Sequence, residues 1–199
     1  MQLDIPAGDF AGYIFDCDGT LVDTMPLHYR AWDEALRRVG LREPLSEDLF
    51  YSLGGVPTLR VASLLGRHYG LALDPERVFH EKESLFLEMQ DEMEVIGPVV
   101  DFARQWHGKA PLSVASGGPR PVVRHTLELM GLASLFPVLV TPEDVAHGKP
   151  APDMFLLAAR RMGVAPERCL VFEDAEPGIQ AAEAAGMRWV HVPSRGRRA

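Results

Sequence analysis

The sequence predicts an α/β fold: a doubly wound, mostly parallel sheet with an α-helical domain inserted after its first strand. Three observations lead there. Short apolar runs bounded by turn residues alternate with amphipathic stretches over most of the chain. The apolar runs are near-continuous, as strands buried on both faces require. Between Pro26 and about Val95 the strand signal disappears while helical periodicity persists.

The strand candidates are residues 12–15, 112–115, 138–140, 169–172 and 189–192. Between the later ones lie helical patterns at 122–130, 154–162 and 179–185, followed by Gly131, Gly163 and Gly186, the residue type that best closes a helix. In the insert, residues 27–39 carry Ala31, Trp32, Ala35, Leu36 and Val39 at helical spacing. Asp74-Pro75 then opens a long helix with Val78, Phe79, Lys82, Leu85, Phe86, Met89 and Met93 near one stripe, which reads as a packing surface. The insert reads as four helices, flanked by Thr24-Met25-Pro26 and Gly97-Pro98 as hinge elements. The expected division is a core domain from 1–24 and 96–199, and an inserted domain from 25–95. No internal repeat is evident.

Composition bounds the function. The chain has 199 residues, 47% of them hydrophobic and 24% charged, the profile of a soluble globular protein able to bury a core without disulfides. Twenty Lys and Arg against 28 Asp and Glu give a net charge of −8, which argues against a nucleic-acid partner bound through its phosphates. The basic cluster Arg195, Arg197 and Arg198 reads as a frayed tail. No apolar run has transmembrane length and residues 1–8 lack signal-peptide character, so a cytoplasmic protein without a membrane partner is expected. Nothing demands more than a monomer. Cys17 and Cys169 each sit alone in an apolar run, as reduced, buried thiols do. An acidic protein that handles an anionic substrate must supply local positive charge, such as a metal ion.

Four stretches carry chemistry. In Tyr13-Ile14-Phe15-Asp16-Cys17-Asp18-Gly19 an apolar strand runs into two carboxylates one residue apart. Residues i and i+2 of an extended chain point the same way, so Asp16 and Asp18 emerge together at the carboxyl end of the strand. Ligand crevices of open α/β sheets lie there. Two close carboxylates repel unless a cation or proton lies between them. The plainer alternative is a pair of aspartates capping a turn, with Gly19 supplying a positive φ. Ser116-Gly117-Gly118 ends a second apolar strand with a hydroxyl and accessible amides, although such loops also arise for conformational reasons. Lys149 is held between Gly148 and Pro150 and could neutralise Asp16 and a phosphoryl group, or be surface charge. Glu173-Asp174 ends another buried strand and could complete an oxygen-rich metal site, or complement the dipole of the next helix.

With Asp16-Cys17-Asp18-Gly19-Thr20, Ser116, Lys149 and Glu173-Asp174 in this order, practically the whole chain resembles the haloacid dehalogenase superfamily. The insert matches that family's small helical cap, and the expected core is the family's Rossmann-like sheet. Asp23-Thr24 with His28 and Ala31-Trp32, Lys149-Pro150-Ala151-Pro152-Asp153, and Glu173-Asp174 with Gly178-Ile179-Gln180-Ala181 resemble the β-phosphoglucomutase-like branch. Within it the chain looks most similar to bacterial phosphatases of fructose 1-phosphate and 6-phosphogluconate.

The resemblance implies a Mg²⁺-dependent phosphatase of small sugar phosphates. Asp16 would attack phosphorus and bind the metal. Asp18 would act as acid and then base, arriving protonated, with its backbone carbonyl on the metal. Ser116, the Gly117 amide and Lys149 would hold phosphoryl oxygens, and Glu173 and Asp174 would complete the metal shell. Thr24 and His28 match hinge positions. Where the related mutase has an arginine in its cap loop Gly-Val-Ser-Arg, this chain has Thr58 in Gly55-Val56-Pro57-Thr58, with Arg60 two positions on. That favours water as phosphoryl acceptor. The alternatives are a phosphomutase and, less favoured, a non-enzymatic binding or regulatory protein of this fold. A dehalogenase would lack the second aspartate, and no feature calls for the Schiff-base chemistry of a phosphonate hydrolase, Lys82 being the only lysine of the cap.

Overall fold

The computed structural model describes residues 2–193, so the cluster Arg195, Arg197 and Arg198 lies outside the described residues. In chain order the elements are β1 (Gly12–Phe15), α1 (Met25–Arg38), α2 (Glu47–Ser52), α3 (Thr58–His68), α4 (Pro75–Leu87), α5 (Gly97–Trp106), β2 (Leu112–Ala115), α6 (Arg120–Leu129), β3 (Val138–Val140), α7 (Asp153–Met162), β4 (Cys169–Glu173), α8 (Glu176–Ala184) and β5 (Arg188–His191). The strands form one sheet in the order β3-β2-β1-β4-β5, every neighbouring pair parallel. The fourth strand runs one residue further than its apolar residues suggest, because the Glu173 carbonyl still accepts a sheet hydrogen bond from Val192 N at 2.7 Å. The fifth lies one residue earlier than expected.

Both faces of the sheet are covered, which explains the unbroken apolar strands. Tyr13, Phe15, Leu112, Val114, Leu170 and Phe172 pack on one side against α5 and α6. Ile14, Ala115, Cys169 and Val171 pack on the other against Phe155, Ala158 and Ala159 of α7 and Ala181 and Ala182 of α8. Phe15 stacks on Phe172 with ring centroids 4.7 Å apart, so β1 and β4 are locked together at the residues just before the first and last acids. Both cysteines are buried and unpaired. Among the described residues no helix is long and apolar enough to cross a membrane.

Helices α1 to α4 build a third hydrophobic cluster from Trp32, Leu36, Phe50, Val61, Leu65 and Val78. Asp74 caps α4 by accepting from Glu76 N at 3.0 Å. The insert is joined to the sheet by two adjacent linkers that bond to each other: Asp23 N to Glu94 O at 2.7 Å, and Ile96 N to Leu21 O at 2.9 Å. Gly97-Pro98, expected as a hinge element, instead forms the first turn of α5, where a proline leaves no intrahelical bond unmade.

The loop between β3 and α7, which carries Lys149, is anchored by Asp144. One carboxylate oxygen accepts from Thr141 N at 3.0 Å and pairs with Arg120, and the other pairs with Arg161 at 2.9 Å. Partial burial opposes the charge, but Arg161, the Thr141 amide and Arg120 hold the carboxyl down at about 2, against an ordinary 3.8. Asp144→Ala should therefore lower stability by about 1–3 kcal/mol at neutral pH. A folded pKa below the unfolded one means this contribution is complete above about pH 4 and fades as pH falls toward 2. Urea midpoints of wild type and variant should differ at pH 7 and converge in that acid window.

Candidate active site

All five strands point the same way, and the chain order turns around β1, with β2 on one side and β4 on the other. The carboxyl ends flanking such a switch point form the natural crevice of an open α/β sheet. Asp16 follows β1 directly, Ser116 follows β2, Lys149 lies in the loop after β3, and Glu173 ends β4 with Asp174 next. Sheet-type hydrogen bonds from Asp16 N to Phe172 O (3.0 Å) and from Ser116 N to Val140 O (3.1 Å) fix the backbone at these ends.

Lys149 is fully buried and sits at the centre. Its Nζ donates to Asp16 Oδ1 at 2.7 Å and to Glu173 Oε1 at 2.5 Å, and lies 5.0 Å from the centroid of the Phe155 ring. Burial disfavours the ammonium, but Asp16 and Glu173 more than reverse this and raise its pKa. The sequence alone is compatible with Lys149 as surface charge. Its burial shows that it is not.

Asp16, Glu173 and Asp174 each bring an oxygen within 4.8 Å of the others. Glu173 has both oxygens committed, one to Lys149 and one to its own loop, accepting from Asp174 N (2.8 Å) and Ala175 N (3.0 Å). Asp16 keeps Oδ2, while Asp174 takes one hydrogen bond from the Thr20 hydroxyl at 3.3 Å. Two glycines make room for these acids. A Cβ on Gly19, whose φ is +84°, would overlap the Asp174 carboxylate, and one on Gly178 would overlap that of Glu173. One ammonium cannot balance three carboxylates. Burial, with Glu173 and Asp18 adding to it against Lys149, pushes Asp16 up to about 8. Burial, then Glu173 and Asp16, pushes Asp174 well above its ordinary range. This donor set of hard oxygens with surplus negative charge fits a small divalent cation such as Mg²⁺.

Asp18 opens onto the same pocket as Asp16 but makes different contacts. Its Oδ1 accepts from the Thr24 hydroxyl at 2.7 Å and lies 3.1 Å from His28 Nε2, and its Oδ2 is 3.5 Å from Ser116 Oγ. Burial would raise its pKa, yet His28, the Thr24 hydroxyl and Lys82 outweigh it and bring the carboxyl down to about 2. A protonated Asp18 was the expectation. In this geometry its neighbours on the insert side favour the ionised form instead.

The loop before α3 closes over these residues. A Cβ on Gly117 would meet Gly55 O at 2.5 Å, and one on Gly54 would meet the Ala175 side chain at 2.7 Å. The pocket is lined by Asp16, Asp18, Ser116 and Gly117 from the core and by His28, Thr58, Lys82 and Glu83 from the insert. Thr24 is buried behind Asp18. Arg60, considered as a substitute cation, is exposed on α3 and does not line the pocket, because the helical turn that brings Thr58 inward carries residue 60 outward. Glu83 carries little signal in the sequence because it lies off the apolar stripe of α4. The only signal was an acid next to the sole lysine of the insert.

A family model for haloacid dehalogenase-like hydrolases matches residues 10–186, and the chain belongs to that family. It is 43% identical over 184 residues to the fructose-1-phosphate phosphatase YqaB of Escherichia coli K12, covering 92% of this chain and 96% of that one. It is 32% identical over 181 residues to hexitol phosphatase A of the same organism, covering 91% and 82%. Among solved structures, CbbY of Rhodobacter sphaeroides in complex with phosphate superposes with a TM-score of 0.82 at 25% identity, covering 95% and 90%.

The tight seat of Glu173 allows a test that replaces none of the acids. Gly178→Ala forces the Glu173 carboxylate off its position and with it the partner of Lys149. Turnover should fall by about 100-fold, the scale of a 1 Å misplacement in a reacting assembly. Circular dichroism of the variant should remain that of the wild type.

Proposed function

We propose that this hydrolase is a Mg²⁺-dependent phosphatase of small sugar phosphates that works through an aspartyl-phosphate on Asp16. The observation that carries this reading is the buried Lys149, which bridges Asp16 and Glu173, while Asp16 itself lines a pocket with Asp18 and Ser116. The similarity to a fructose-1-phosphate phosphatase and a hexitol phosphatase supports the substrate class.

Asp16 is the nucleophile. Its carboxylate attacks phosphorus, and the bond from phosphorus to the sugar oxygen breaks. Asp18, ionised while Thr24 and His28 hold it, first takes up a proton from solvent as those contacts loosen. It then protonates the leaving oxygen and afterwards takes a proton from the water that attacks the aspartyl-phosphate, which returns Asp16 and releases phosphate. Asp18 lies on the insert side of Asp16, where a leaving group opposite the attacking oxygen belongs. Its bonds to Thr24 and His28 couple its protonation to the linker and first helix of the insert. Ser116 Oγ, the Gly117 amide and Lys149 Nζ hold the phosphoryl oxygens. Asp16, Asp174 and the Asp18 carbonyl would hold Mg²⁺, with Glu173 orienting the site through Lys149 and the loop amides. The ion, when bound, keeps Asp16 ionised and neutralises phosphoryl charge.

Residues 25–95 act as a cap that shields the reaction from bulk solvent. Thr58 stands in the pocket without charge and Arg60 points away, so no cation on this loop holds a second phosphate. This favours hydrolysis over the mutase reaction. A full set of catalytic positions favours an enzyme over a binding protein of the same fold.

Asp16→Asn should reduce phosphate release by about 1,000-fold or more while leaving the fold intact. Chelation with EDTA should abolish activity and added Mg²⁺ restore it. With fructose 1-phosphate as substrate, the product should be free phosphate. Formation of an isomeric phosphate without free phosphate would instead make the protein a mutase.

A further inference from the structure

The part of the pocket lining that α4 supplies holds a pair of side chains with no role in the transfer steps above. Lys82 and Glu83 are consecutive on α4, yet both are buried, at 2% and 7% exposure. Lys82 Nζ donates to Glu83 Oε1 at 3.0 Å and lies 5.8 Å from the Trp32 ring centroid and 5.2 Å from that of Phe86. Glu83 Oε2 is wholly buried and has no hydrogen-bond partner. Both side chains line the same pocket as Asp16, Asp18 and Ser116.

A buried carboxylate oxygen without a donor is costly, and the helices packed around it offer it none. Lys82 accounts for one carboxylate oxygen of Glu83, and nothing in the packing accounts for the other. The cost is offset if a ligand brings the donor. A carboxylate only accepts hydrogen bonds, so the complementary ligand group is a donor. The Lys82–Glu83 pair is neutral as a unit, which suits a neutral donor such as a hydroxyl. A second phosphoryl group at this end would meet the unpaired Glu83 oxygen as a like charge.

We infer that Glu83 is a specificity-determining residue: its free oxygen accepts a hydrogen bond from a hydroxyl on the end of the substrate distal to the phosphate, and Lys82 holds it in place. This rests on the phosphatase reading above and narrows its substrates to monophosphates of neutral polyhydroxylated compounds.

The test compares kcat/KM for fructose 1-phosphate, for its monodeoxy analogues and for p-nitrophenyl phosphate, which has no hydroxyl to offer. Glu83→Gln keeps the shape and the Lys82 contact. A Lys82→Met/Glu83→Met variant replaces the pair by apolar side chains of similar volume, an exchange that buried ion pairs often tolerate. In both, the ratio of sugar phosphate to aryl phosphate activity should fall at least about ten-fold, as expected for a lost hydrogen bond to a charged acceptor. One deoxy analogue should carry a penalty in the wild type that vanishes in the variants. If the ratio holds, or every deoxy penalty is the same in wild type and variants, Glu83 reads no hydroxyl and the inference is overturned while the phosphatase stands. If the wild type releases phosphate from no sugar phosphate, the functional reading itself fails and the inference with it.

Discussion

Lys149 is a buried ammonium bonded to two buried carboxylates, and the rest of the site is arranged around that fact. A charge taken out of water is tolerated only when it is paired and hydrogen-bonded. Lys149 therefore fixes Asp16 and Glu173 at the ends of adjacent strands, and the lysine arrives on a loop that is itself clamped by Asp144, Arg120 and Arg161. The sheet supplies the spacing. Register pairing of β1 with β4, tightened by the Phe15–Phe172 stack, brings the two acids to one lysine. The same concentration of negative charge leaves Asp16 and Asp174 short of a counter-charge, which is the physical basis for a cation at this place.

A second constraint comes from the backbone of the insert. Its loop approaches the core so closely that glycines are needed on both sides, Gly54 and Gly55 above and Gly117 below. Side chains larger than hydrogen would hold the two parts apart and open the pocket. Asp18 stands at this junction. It lies against Ser116 on the core side and bonds to Thr24 and His28 on the insert side, and these last two contacts help to hold its carboxyl in the ionised form. The ring of His28, stacked on Phe86 with centroids 3.9 Å apart, links this acid to the helix that also carries Lys82 and Glu83.

The strands, the insert and the four motif stretches were legible because each has a local cause. Burial on both faces produces apolar runs, helical burial produces a 3.6-residue period, and acids or hydroxyls at strand ends stand out against them. Gly131, Gly163 and Gly186 marked helix ends and take φ of 67°, 70° and 70°. By itself, then, the sequence determined the α/β class, the position of the insert and the identity of Asp16, Asp18, Ser116, Lys149, Glu173 and Asp174 as the polar strand-end set.

Only the tertiary structure decided which of these meet. Lys149 and Asp16 are 133 positions apart, and no periodicity reports that they share a proton-rich contact of 2.7 Å. The pairing of the two linkers at Asp23 and Glu94 and the downward pull on Asp18 both follow from contacts that the local pattern does not report. Glu83 shows the limit most clearly. Sequence periodicity sees one apolar stripe on α4, but helices on two sides bury a second strip of that helix, and whether an acid there faces solvent or a substrate is settled by what packs against it.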